Sequence, residues 1–136
     1  MFNFVSEELQ KLNIPLKRIR KEAYGEIKNP ERFPTYPQNM ENKEFRILVN
    51  DRAKIHDITA KSEESILVAL ERAKFAPPSA CRSGECQYCR TSLTNGEIWV
   101  SPNCDGRRKA DIKYSYFHPC ASFPLSDLEI ILPQSK

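Results

Sequence analysis

The chain has 136 residues, of which 40% are hydrophobic and 29% charged, and a formal net charge of +3. That balance suits one globular domain plus an appendage, and with no long Lys/Arg run nucleic acid is not an expected partner. No stretch reaches the roughly eighteen apolar residues of a membrane span, and "MFNFVSEELQ" lacks the basic lead-in of a secretory signal, so the expectation is a cytoplasmic protein without a membrane span.

Residues 3–12 predict a helix, with Phe4, Val5, Leu9 and Leu12 on one face; Asn13 and Pro15 stop it. "LKRIRKEAYG" reads as a short strand. Residues 26–42 carry Pro30, Pro34 and Pro37 without periodicity and predict an extended linker; the alternative is an ordered arm packed through Phe33 and Tyr36. A compact pattern follows over residues 43–136. "EFRILVN" alternates as a half-buried strand with Phe45, Ile47 and Val49 on one face, and "AKIHDIT" pairs with it in a hairpin around Asn50-Asp51. "SEESILVALERAKF" predicts an amphipathic helix with Ser62 as N-cap, Glu63 and Glu64 at the positive end of its dipole, and Ile66, Leu67, Leu70 and Ala73 buried. Pro77-Pro78 end it.

"RTSLTNGEIWV" predicts two short strands hairpinned at Asn95-Gly96. "DGRRKADIKYS" holds a short helical turn. "DLEIILP" predicts a closing strand with Leu128, Ile130 and Leu132 on one face and Ile131 on the other. A β-β-α start followed by more strands predicts an α+β domain: a mixed sheet with one main helix, preceded by a short helix-strand segment and the Pro-rich linker. This domain is expected to fold without residues 1–42.

Five cysteines in a non-secreted chain argue for metal or redox chemistry over disulfides. Three sit in the irregular stretch "CRSGECQYC", as Cys81, Cys86 and Cys89. A C-x4-C-x2-C…C spacing suits a [2Fe–2S] cluster, with three thiolates from one loop and the fourth brought in by the fold. Arg82, Ser83, Gly84 and Glu85 would curl around the inorganic core. Gly84 permits positive φ and close backbone approach, and the loop N–H groups would point at sulfur. Arg82 and Arg90 would add positive charge beside an anionic cluster. Spacing alone leaves Cys104 and Cys120 in competition for the fourth position.

Other uses of these residues are weaker. Structural zinc accepts four cysteines, or three with His118, but favours two close pairs. "CQYC" does not open a helix after a strand, as a thioredoxin-like pair does. His118 lies close enough to Cys120 to modulate a potential or simply to pack. "RRK" at 107–109 is a solvated face or a docking patch for an acidic partner.

Taken together, "CRSGECQYCR", the following "NGE" and "CASFPLSDLEI" resemble the plant-type [2Fe–2S] ferredoxin family, in the version fused to flavin reductases. The resemblance covers about residues 43–135. It implies a β-grasp fold, ligands Cys81, Cys86, Cys89 and Cys120 with Cys104 spare, and one-electron transfer beside a flavin-containing reductase domain or subunit, toward a redox acceptor protein. No residue of the chain is then expected to act as acid, base or nucleophile. The segment before the last cysteine is basic here, where such ferredoxins often carry an acidic helix. Residues 1–25 resemble the end of the nicotinamide-binding domain of ferredoxin reductases, which leaves open that the chain is part of a larger NADH-dependent reductase. No Gly-rich nucleotide turn is present.

Overall fold

The alternation of "EFRILVND" forms β1 (Glu44–Asp51), which buries Ile47 and Val49 completely. The computed structural model describes residues 2–15 and 25–133. β2 (Lys54–Lys61) returns antiparallel, with Asp51 opposite Lys54. The reversal is therefore at Arg52-Ala53, two residues past the expected Asn50-Asp51. Both turn residues have positive φ, 49° and 64°, as the twist of a two-residue hairpin demands.

α2 (Ile66–Arg72) crosses the sheet and buries Ile66, Leu67, Ala69 and Leu70. Its N-cap is Ser65, whose hydroxyl accepts from the Val68 amide at 3.3 Å, and not Ser62. Ser62 is buried and donates instead to the Met40 carbonyl at 2.5 Å. Ala73 is only half-buried, so Ala69 takes its expected place.

β3 (Thr91–Asn95), β4 (Ile98–Val100), α3 (Lys109–Lys113), β5 (Tyr116–Phe117), β6 (Ser122–Pro124) and β7 (Leu128–Ile131) complete the domain. The main sheet runs β2-β1-β7-β3-β5, with β1 and β7 parallel and the other pairs antiparallel. This is the mixed sheet and crossing helix of an α+β β-grasp fold. Ile47, Val49, Ile66, Ala69, Leu70, Phe117, Leu128 and Ile130 form the core between them; each large side chain stabilises by about 1.5–3 kcal/mol on burial.

The expected Asn95-Gly96 hairpin does not form. β3 stays in the main sheet, while β4 pairs with β6 in a separate two-stranded sheet. Gly96, at φ +98°, lies so close to the chain before β7 that a Cβ would stand 2.2 Å from the Asp127 carbonyl oxygen. The Glu97 amide then donates to the Ser126 hydroxyl at 2.8 Å, which diverts the strand away from β3.

The Pro-rich segment also departs from expectation. Residues 26–42 contain no regular element longer than a 3₁₀ turn at Pro30–Arg32, yet Tyr36 and Met40 are buried. Tyr36 meets Trp99 edge-on at 5.1 Å between centroids, and Phe33 meets it at 5.6 Å. The Tyr36 hydroxyl donates to the Ser62 carbonyl at 2.8 Å. A second core of Tyr36, Met40, Trp99 and Phe123 results, so this segment is a packed arm and not a free linker. α1 (Phe2–Lys11) matches the predicted helix, with Val5 and Leu12 exposed. The strand expected at "LKRIRKEAYG" lies outside the described residues except for Gly25. Among the described residues no helix is long and apolar enough to cross a membrane.

Candidate metal centre

The cysteine loop connects α2 to β3. α2 ends where Lys74 takes φ +66° and the Phe75 amide donates to the Leu70 carbonyl at 2.9 Å, ahead of Pro77-Pro78, and Arg82, Gly84 and Gln87 then turn the backbone with φ of 58°, 82° and 63°. This curl aims amides at sulfur. The Ser83 and Cys86 amides both donate to Cys81 Sγ at 3.4 Å. The Gly84 amide donates to Cys120 Sγ at 3.2 Å, across 36 residues of sequence.

Cys120 is delivered by a 3₁₀ turn, Pro119–Ala121, held by Ala121 N–H to the His118 carbonyl at 3.0 Å and by the Ser122 hydroxyl to the same carbonyl at 2.8 Å. Its sulfur lies 3.4 Å from that of Cys89. Leu67, Cys89, Cys120 and Ala121 form a small apolar cluster against which Ile27 and Cys104 pack. Cys81, Cys89 and Cys120 are buried and Cys86 is exposed.

Gly84 is required by space as well as by φ. A Cβ there would stand 2.2 Å from the Cys104 carbonyl oxygen and 2.8 Å from the Ala121 Cβ. Cys104 thus meets the loop through its backbone. A Cβ on Gly106 would likewise stand 2.3 Å from the Gly84 carbonyl oxygen. The Cys104–Gly106 segment is a strap across the loop, which the sequence does not signal except through Gly106.

The Cys81 and Cys89 thiols are shifted toward the thiolate form. Burial pushes the Cys81 thiol up, but hydrogen bonds from the Ser83 hydroxyl and from the Ser83 and Cys86 amides prevail and lower it to about 6. The contact between the Cys89 and Cys120 sulfurs lowers Cys89 to about 7 against its burial and raises Cys120. Ligation requires both sulfurs deprotonated and so releases their protons.

The flanking arginines are not free to face the sulfurs. Arg82 bonds Glu71 through two nitrogens, at 2.6 and 2.8 Å, and Glu26 through Nε at 2.6 Å and through Nη2. These contacts raise the guanidinium and hold Glu71 below the usual carboxylate range. The Gly25 amide donates to the Cys81 carbonyl at 3.0 Å, so the residue just before the arm touches the loop as well. Arg90 bonds Asp111 at 2.6 Å and lies 3.6 Å above the Tyr116 ring. The positive charge expected from Arg82 and Arg90 is therefore largely compensated by carboxylates. Ser83 is buried, while Glu85 is exposed at the rim.

His118 is 2% exposed. Burial lowers its pKa, a hydrogen bond to the Gly84 backbone opposes the shift, and its Nε2 has no partner among the described residues. Among the described residues no group of three or more His, Cys, Asp or Glu side chains converges as a single metal ion needs. Two irons sharing four thiolates two by two do not need one such point. The close Cys89–Cys120 pair, the amides aimed at two sulfurs and the space kept open by Gly84 fit that group.

Residues 49–125 match the family described as the 2Fe-2S iron-sulfur cluster binding domain. The chain belongs to this family. It is 28% identical to ferredoxin-2 of Synechococcus over 86 residues, which cover 63% of this chain and 81% of that one. It is 30% identical to the chloroplastic ferredoxin C 2 of Arabidopsis thaliana over 62% of this chain and 48% of the relative. Phthalate dioxygenase reductase, solved as a modular structure for electron transfer from pyridine nucleotides to [2Fe-2S], superposes with a TM-score of 0.52 at 28% identity. That match takes in 74% of this chain but 29% of the reductase, so the chain spans well under half of its length. Ferredoxin reductases thus stand among its structural neighbours. The function of this [2Fe–2S] domain is one-electron transfer, as it is in ferredoxins and in the reductases that carry such a domain.

Proposed function

We propose that Cys81, Cys86, Cys89 and Cys120 ligate the cluster, and that the domain passes single electrons from a flavin-containing reductase domain or subunit to a redox acceptor protein in the cytoplasm. The observation that carries the ligand set is the Gly84 amide on Cys120 Sγ at 3.2 Å, with Cys89 Sγ 3.4 Å from the same sulfur. When bound, the cluster takes up one electron, its formal charge with four thiolates passing from about −2 to about −3. The chain's part is to answer that charge. The Ser83, Gly84 and Cys86 amides donate to sulfur, which favours the more negative state. The strap over Gly84 and the apolar cluster of Leu67 and Ala121 exclude water from three of the four sulfurs. Cys86, Arg82 and Glu85 form the rim that a partner meets, and no group in the loop has to move a proton for the electron to pass.

Residues 43–136 are the cluster domain in this reading, residues 26–42 its arm, and residues 1–25 the end of a reductase nicotinamide-binding domain. Exposed Val5 of α1 and Leu12 just after it favour a surface that a further domain covers. Purified chain is expected to be brown, to contain equal iron and acid-labile sulfide, and to give the spectrum of a [2Fe–2S] centre that dithionite bleaches by one electron. A colourless protein holding only zinc overturns the reading. NADH alone is expected not to bleach the cluster; bleaching would make the chain a reductase in its own right.

A further inference from the structure

The electron-carrier reading leaves unused a surface beside the loop. α3 is joined to the loop by Arg90–Asp111 at 2.6 Å, and the Gln87 side-chain Nε2 donates to the carbonyl of Gly106, three residues before α3, at 3.4 Å. Ile112 and Tyr114 are 57% and 62% exposed, and Tyr88, between Cys86 and Cys89, is 66% exposed. These are three of the seven large apolar side chains exposed among the described residues, and each lies within three residues of Arg90 or Asp111 in the chain. Lys113 lies 5.4 Å from the Tyr114 ring centroid.

The unpaired charge on and beside α3 is positive. Arg108, Lys109 and Lys113 are exposed and enter no ion pair among the described residues. The nearby carboxylates are spent: Asp105 pairs with Arg107 at 2.7 Å, and Asp111 with Arg90. Glu85 is the exposed anion that remains on the loop. A helix that serves only as a solvated connection has no reason to expose isoleucine and tyrosine between unpaired cations. Apolar and aromatic side chains ringed by one charge are what a protein contact uses, with the charges steering encounter.

We propose that α3 with Tyr88 is the docking surface for an acidic protein that exchanges electrons with this domain. Ile112, Tyr114 and Tyr88 lose water in the contact, and Arg108, Lys109 and Lys113 meet carboxylates of the partner. The proposal rests on the electron-carrier reading above.

The test uses the whole cluster-loaded chain, reduced by dithionite and mixed in stopped flow with hexacyanoferrate(III) or tris(phenanthroline)cobalt(III). The paired variant K109E/K113E is expected to slow the anionic oxidant and speed the cationic one by roughly tenfold at low ionic strength, with both effects collapsing at high salt. K54E/K61E makes the same charge change on β2, at the opposite edge of the sheet from β5, and is expected to leave both rates within about twofold. Wild-type chain and K54E/K61E are expected to be retained on immobilised poly-L-glutamate, and K109E/K113E to be released. Equal behaviour of the two variants overturns the proposal. So does sedimentation with phosphatidylserine vesicles at physiological ionic strength that K109E/K113E abolishes, which assigns the surface to a membrane. Should K109E/K113E lose its cluster, K109Q and K113Q singly replace it, with smaller effects of the same sign. Failure of the wild-type chain to show a [2Fe–2S] spectrum is a different outcome: it removes the electron-carrier reading itself.

Discussion

The Gly84 amide donates to the Cys120 sulfur at 3.2 Å, and the same glycine has no room for a side chain because the Cys104 carbonyl and Ala121 close on it. One residue thus joins the loop to the distant cysteine and fixes how near they come. Gly84→Ala is expected to cost most of the cluster. It combines an unfavourable φ of +82° with a 2.2 Å clash against backbone. Iron and sulfide per chain, measured after anaerobic reconstitution, should fall severalfold; full occupancy would show that the strap yields.

Cys120→Ala and Cys104→Ala separate the two cysteines that the spacing leaves in competition. Cys120 lies under the Gly84 amide, whereas Cys104 presents its carbonyl to the loop. Cys104→Ala is expected to retain the visible spectrum and Cys120→Ala to lose it. The reverse pattern would move the fourth ligand to the strap.

Glu26 and Glu71 surround one guanidinium, Arg82, so the local charge beside the loop is negative by one. Glu26→Gln should make reduction easier and Arg82→Gln harder. Each change is on the order of 1 kcal/mol at an effective dielectric of about 20, or some tens of millivolts. Spectroelectrochemical titration reads both signs. Shifts of the same sign would mean that loop geometry, not charge, had changed.

The arm carries its own prediction. Deleting residues 1–24 is expected to leave the urea midpoint nearly unchanged, while deleting 1–42 uncovers Trp99 and Phe123 and lowers it markedly. Tyr36→Phe removes one hydrogen bond and should cost about 1 kcal/mol; Tyr36→Ala should cost about 3–5 kcal/mol. Equal midpoints for the two deletions would restore the free linker that the prolines suggest.

Asp111 is held below the usual carboxylate range first by the Arg108 amide and then by Arg90, against its burial. The folded value lies below the unfolded one, so this group contributes stability that is complete above about pH 4 and disappears as pH falls through the lower folded value. Asp111→Asn should lower stability at neutral pH and flatten the acid limb of the stability curve. Urea titrations at pH 3, 5 and 7 read that slope; an unchanged slope would mean that other carboxylates set it.

The local signals were legible where one segment decides the outcome. The periodicity of β1, β7 and α2 stands in the structure as the sequence predicts, and Cys81, Cys86 and Cys89 lie in one irregular loop. What failed depended on contacts distant in the chain. Asn95-Gly96 has hairpin chemistry, but the close approach of Asp127 sends β4 to β6 instead. Ser62 has the composition of an N-cap, yet Met40 of the arm claims its hydroxyl. Three prolines mark a segment without regular structure and say nothing of whether Trp99 waits beneath it. Arg82 looks like a cation for the cluster until Glu26, 56 residues earlier in the chain, is placed beside it.

The Gly25 amide on the Cys81 carbonyl puts the residue just before the arm at the cysteine loop itself. A donor joined upstream of Gly25 is tethered within a few residues of the site it must reach. Encounter then becomes intramolecular, at an effective concentration set by the tether. Electron delivery from such a donor proceeds at a rate independent of dilution, whereas delivery from a separate reductase falls in proportion to it.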